Sequence, residues 1–280
     1  MKTKLLIIAI FAVLAAGCLY RVYQGGVSPE TSGVLANLGT GFIGTALTVL
    51  IVDLLYERRE NARLLPKRVV VHEDVRLLIA RTVTFWFNMY MAAVPGDLPK
   101  TIAELVQPES IKRILNHLDM NAEANVTPRR TWWQFLPEQL LDLRTLAEKI
   151  LHRHSEILDP DAYRLVNQLV HNAMEPSLSS AIHASDIEMG YPRPQVLGSY
   201  LFVLDDYFPS LLKLVRWCNI EGNAIKRKTG NDVMMVNENL IGNRPEGTPR
   251  CMIAPENLAR QLEQEAAFHR DRATMPTQQG

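Results

Sequence analysis

The residues able to do chemistry are few and badly spaced for it. Seven histidines occur in the 280-residue chain. His152 and His154 are two apart, which on a helix is about 200° of rotation, so they point to opposite sides and cannot share a metal. A helical metal pair needs a spacing of three or four, as in H-E-x-x-H, and no two histidines have it. His72-Glu73-Asp74 begins like that motif, but the residue four beyond His72 is Arg76. His171 and Glu175 are four apart and can meet, most simply as a surface hydrogen bond or ion pair.

Nucleophiles give no stronger signal. There is no G-x-S-x-G elbow, and Ser179-Ser180 with His183 is only a local polar cluster. Cys218 follows Trp217 on an apolar face, the setting of a buried inert thiol. Gly39-x-Gly41-x-x-Gly44 has dinucleotide-loop spacing, but it lies inside an apolar run with no strand before it. Asp205-Asp206 sits beside Tyr207 in an apolar stretch. Adjacent helical residues diverge by about 100°, so one of the two is placed to face inward, where it needs a partner such as Lys213 or Arg216. Solvated surface acids are the simpler reading. Asp205, Asp206 and His154 are the first polar groups to inspect. No catalytic residue, metal site or cofactor is implied.

The elements that carry these residues are organised around Gly33–Arg68. Between Glu30 and Asp53 lie twenty-two residues without a charge, and about 20 suffice for a helix to cross the hydrocarbon core. Arg58, Arg59, Arg63, Lys67 and Arg68 follow directly, and dense basic charge beside a span marks its cytoplasmic side. Asp53 reads as a boundary residue near the interface. Thr40, Gly44 and Thr48 recur every four residues, with Gly41 in a neighbouring row. Small residues at that spacing let two helices approach closely, so this is read as a packing face, against an earlier span or a second copy of the chain.

That earlier span is expected over about 5–23. Lys2 and Lys4 precede an uncharged run, Leu5 to Tyr20, closed by Arg21. A signal peptide competes for the same pattern, and Leu14-Ala15-Ala16-Gly17-Cys18 is close to a lipoprotein box, with its Leu one place too far from Cys18. Either way the second span, about 33–55, carries the chain inward. With the first run as a span, both termini lie in the cytoplasm.

LGTGFIGTALTVLIVDLLYERRE resembles the span of a set of small bacterial membrane proteins of uncharacterised function. Gly39, Gly41, Gly44, Asp53, Glu57, Arg58, Arg59 and Glu60 carry the likeness, which covers less than a tenth of the chain. It implies a bacterial inner-membrane protein and no activity.

Formal net charge is zero, so no basic face announces nucleic acid. The three cysteines, Cys18, Cys218 and Cys251, are far apart and build no disulfide framework or zinc site, as suits a reducing compartment. From Pro66 on, the periodicity is helical. Helices are expected from Val69 to Met91, Thr101 to Val106, Ser110 to Leu118, Pro137 to Ile157 and from Pro160 up to Pro176. Others are expected at Ser177–Met189, Val196–Ile220 with a kink or a break at Pro209, and Pro255–Arg272. Pro66 is placed to break the long helix, and 121–130 and 219–250 read as connections. Arg129-Arg130 with Trp132 and Trp133 could dock on a membrane surface or cap the core. Lys226-Arg227-Lys228 reads as a solvated run.

The expected fold is therefore all-α: a two-helix transmembrane hairpin (1–56), a cytoplasmic helical bundle (57–273) and a flexible tail (274–280). The expected role is a non-enzymatic interaction, scaffold or sensor-like module, with the lipid bilayer, a second copy and an unknown protein as partners. A membrane-tethered enzyme with a dispersed site, or an oligomerising membrane effector, are the alternatives.

Overall fold

The computed structural model describes residues 2–24, 26, 28–171, 177–178, 195–198, 204, 206–244, 249–260 and 263. The expectations for Glu175, Ser179-Ser180-His183, Asp205 and the tail 274–280 lie outside the described residues, as do the end of the last helix and most of Ser177–Met189. What is described is overwhelmingly helical, in agreement with the all-α reading. The chain divides into two compact units, Met1–Lys67 and Arg68–Gly280. The division falls between Lys67 and Arg68.

The first unit holds α1 (Lys2–Gln24) and the opening part of α2 (Pro29–Ala93). Among the described residues one helix, α2, is long and apolar enough to cross a membrane, and its qualifying 18-residue window is only 6% buried. The apolar stretch described in α1, Ala9–Gln24, is shorter. α1 lies against the Ser32, Leu35, Ala36, Gly39, Phe42 row of α2, whose members are buried or half-buried. Phe11 and Phe42 have ring centroids 6.0 Å apart. A Cβ on Gly39 would stand 3.0 Å from Leu19 Cγ, so here glycine sets how closely the helices approach. α2 continues through Pro66, where a break was expected. A proline inside a helix forfeits one hydrogen bond. The helix formers on either side, Ala62 to Leu65 and Lys67-Arg68, offset that loss.

The second unit is built on the remainder of α2. Val71, Val75, Leu78, Ile79, Thr82, Trp86, Met89 and Ala93 are all buried, at the three- and four-residue spacing of one helix face. α3 (Ile102–Leu105) and α4 (Pro108–His117) follow. Then come two short antiparallel strands, β1 (Glu123–Ala124) and β2 (Arg130–Thr131), and α5 (Trp132–His154), α6 (Pro160–Val170) and α7 (Tyr207–Thr229). α6 lies between α5 and α7. Trp86 meets Phe208 of α7 edge to face at 4.9 Å.

Four boundaries differ from expectation for identifiable reasons. The polar connection 121–130 pairs at its ends as a hairpin. α5 starts at Trp132 rather than Pro137, because Gln134 Oε1 accepts from the Thr131 backbone N–H at 3.2 Å, half of a capping box. Trp132 and Trp133, 4% and 2% exposed, cap the core and are not available to a membrane surface. α7 begins at Tyr207, which puts Pro209 in the first turn, where its missing N–H has no partner to lose. α7 then runs past Ile220 to Gly230, whose φ of 72° is the left-handed stop that glycine supplies without strain. Lys226-Arg227-Lys228 occupies its last turn, where positive charge complements the helix dipole. α6 begins as its sequence suggests: Asp159 Oδ1 accepts from the Asp161 and Ala162 backbone N–H groups, both at 3.0 Å. Tyr163, in its first turn, is 41% exposed.

Candidate functional site: an arginine-lined cleft

On α2 the exposed side opposite the core carries Arg81, Thr84 and Asn88, again three and four residues apart. The hairpin and the first turns of α5 stand beside that stripe, and residues 243–244 and 249–251 complete a cleft of about 1290 Å³ within the second unit. Each wall is fixed by backbone bonds. Cys251 N–H donates to Ala92 O at 2.9 Å, and its thiol donates to Glu123 O at 3.4 Å. Trp132 N–H donates to Ala122 O at 3.1 Å, closing the hairpin onto α5.

The cleft's charge is uneven. Arg81, Arg129, Arg244 and Arg250 line it, against Glu123 and Asp142. Arg129 and Glu123 are 3.9 Å apart and largely exposed, a pairing worth little in water. Arg244 is held in place: its two Nη groups donate to Gly96 O at 3.1 Å and Tyr90 O at 3.0 Å, the latter a carbonyl that also accepts from Val94 N–H. Burial lowers its pKa from the ordinary arginine value. Among the described residues, Arg81 and Arg250 have no ion pair. The floor is aromatic, with Phe85 and Phe135 centroids 6.4 Å apart and Trp132 and Phe135 5.5 Å apart. Among the described residues, Trp132 Nε1 and Arg244 Nε, both buried in the lining, have no partner. Four arginines against two carboxylates leave the lining with an excess of positive charge, which suits an anion.

The residues singled out from sequence lie elsewhere. His154 is buried at the end of α5, with its Nε2 2.8 Å from Asp74 Oδ2 on α2, and Arg153 stands 3.5 Å from the same oxygen. This cluster ties two helices together. Asp206 is exposed at the start of α7. Among the described residues no group of three side chains is placed to hold a metal. Thr40, Gly41, Gly44 and Thr48 are exposed on α2, away from the row that α1 covers. The Thr40 and Thr48 hydroxyls donate to carbonyls of their own helix, Ala36 O at 3.0 Å and Gly44 O at 2.8 Å, so neither leaves a bare donor. Arg58, Arg59 and Lys67 are exposed and Arg63 pairs with Glu60 at 3.3 Å. Arg68 makes a two-pronged bond to Glu221 of α7, both contacts 2.7 Å, and so belongs to the fold of the second unit.

His72 and Cys218, distant in sequence, come together: the His72 Nε2 lies 3.1 Å from Cys218 O. Burial pushes the Cys218 thiol up to about 12, which leaves it inert. Burial also lowers the His72 pKa from 6.5, against the opposing pull of Glu73 and Glu221. Its Nδ1 has no partner among the described residues, so protonation would bury a charged donor unsatisfied. As pH falls through about 6.5 the unfolded chain takes up this proton first. Stability from His72 is therefore present above that pH and lost as pH falls toward the folded pKa, at about 1.4 kcal/mol per unit of separation. Thermal midpoints of the wild type should drop between pH 8 and pH 5.5, and His72→Gln should flatten that dependence. Parallel profiles would show that another group is responsible.

No known protein family, curated protein or solved structure matches the chain.

Proposed function

We propose that the chain is a membrane-anchored, non-enzymatic binding module of sensor-like type in a bacterial inner membrane. The observation that carries this is the uncovered apolar surface of α2. A core helix of a soluble protein has its apolar window buried, whereas here it is 6% buried, and such a surface is stable in lipid. The arginines and lysine at 58–68 set the cytoplasmic side. Lys2 and Lys4 keep the N-terminus there too, with α1 as the first member of a hairpin, and the second unit faces the cytoplasm. The cleft favours ligand sensing over a plain scaffold, because a rigid interaction surface has no need of a concave arginine-lined site. The exposed Thr40, Gly41, Gly44, Thr48 face suits pairing with a second copy, as no Cβ at Gly41 or Gly44 would meet anything within 4 Å.

Full-length protein should stay in membranes through a carbonate wash and run as an oligomer in mild detergent. Gly44→Leu should shift it toward monomer. Release by carbonate contradicts the anchor; a monomer with or without the substitution contradicts self-association.

A further inference from the structure

We infer that the cleft takes an organic anion, one phosphate- or carboxylate-type group on a flat apolar body, a conclusion that rests on the ligand-binding reading above. Four arginines and two carboxylates line one concavity. Like charges gathered beside low-dielectric walls repel one another, and the same geometry focuses their field on an entering anion. The cations are all arginine, whose planar fork matches carboxylate and phosphate oxygens in pairs. Arg244 is already oriented by the end of α2, so holding its charge in place costs no further ordering. Arg81 and Arg250, which have no ion pair among the described residues, come from separate segments of the lining.

Size and floor decide the rest of the ligand. A volume of about 1290 Å³ is far more than one inorganic ion fills; ligand pockets commonly run to roughly 1,000 Å³. Phe135, half-buried in the lining and backed by the buried Phe85 and Trp132 rings, offers a flat body an apolar contact. Thr84 and Asn88 on the α2 stripe add neutral hydrogen-bonding groups beside Arg81. A lipid headgroup and a soluble metabolite can present the same chemistry.

The test uses full-length protein in phosphatidylcholine nanodiscs, titrated calorimetrically with 1-naphthyl phosphate, inorganic phosphate and 1-naphthol, each corrected for empty discs. The naphthyl phosphate should bind at one site, at least tenfold more tightly than either fragment. Arg81→Gln and Arg250→Gln, at exposed positions, should each weaken it about tenfold, as loss of one charged hydrogen bond does. Arg216→Gln, exposed on α7 and not part of the lining, should leave it unchanged. No binding at millimolar concentration, or affinity indifferent to both cleft substitutions, overturns the inference. Repeating the titration in phosphatidylglycerol discs separates the two sources: lost binding there identifies a lipid headgroup as occupant, and unchanged binding a soluble anion. If the protein does not enter the discs, the anchored reading fails by itself, and the same titration on the soluble chain still decides the cleft.

Discussion

Trp86→Ala is expected to cost about 3–5 kcal/mol of stability, the range for deleting a large aromatic side chain from a filled core. Trp86 has no exposed surface and stands where α2 meets α7, with Phe85, Tyr207 and Phe208 rings at 5.7, 6.4 and 4.9 Å. No neighbour is free to collapse into the space, since these rings also pack on one another. For a unit of this size that cost lowers the thermal midpoint by on the order of 10 °C. Cys218, buried on α7, should become reactive toward thiol reagents at a correspondingly lower temperature. Trp86→Phe, which keeps an edge to face Phe208, should lose less than half as much. A fall under about 1 kcal/mol for the alanine variant would mean that the α2–α7 contact is not part of the core.

Gly222→Leu should be the second most damaging change, by about 3 kcal/mol, the upper end of overpacking costs. A Cβ at Gly222 would lie 2.7 Å from His72 Nε2 and 2.7 Å from Met235 Sδ. The methionine end can swing aside, but the imidazole is fixed by its bond to Cys218 O, so α7 must shift from α2. That shift also strains the Arg68–Glu221 pair one residue away. Glycine in mid-helix otherwise costs about 1 kcal/mol relative to alanine, so its presence within α7 reflects this close approach and not a stop. Gly222→Ala should also destabilise, despite its better helix propensity. An alanine variant that melts higher than the wild type, measured by circular dichroism in detergent, would contradict the close approach.

What the sequence revealed and what it concealed follow from the range of the interactions involved. The core face of α2 was legible because its apolar residues recur at helical spacing over many turns. Asp159-Pro160 was legible because cap and first-turn preferences are local. α7 was misread because Gly222 and Gly230 are the same residue type with opposite jobs, and only the neighbours of Gly222, His72 and Met235, distinguish them. His154 could be flagged from its helix face, but Asp74, 80 positions earlier, carries no local mark as its partner. The cleft was missed altogether: its arginines come from positions 81, 129, 244 and 250, and no spacing rule links them. The one available signal was the polar stripe Arg81, Thr84, Asn88 on a helix otherwise devoted to the core.

The central claim is that the first part of α2 crosses the bilayer with the arginine-rich stretch 58–68 inside the cell. Fusing the full chain at its last residue, in parallel, to green fluorescent protein and to alkaline phosphatase tests that orientation directly, because the first matures in the cytoplasm and the second only in the periplasm. Fluorescence without phosphatase activity, in membranes that survive a carbonate wash, is the predicted result. Active phosphatase with a dark fluorescent fusion would place the helical unit on the other side of the membrane and contradict the account.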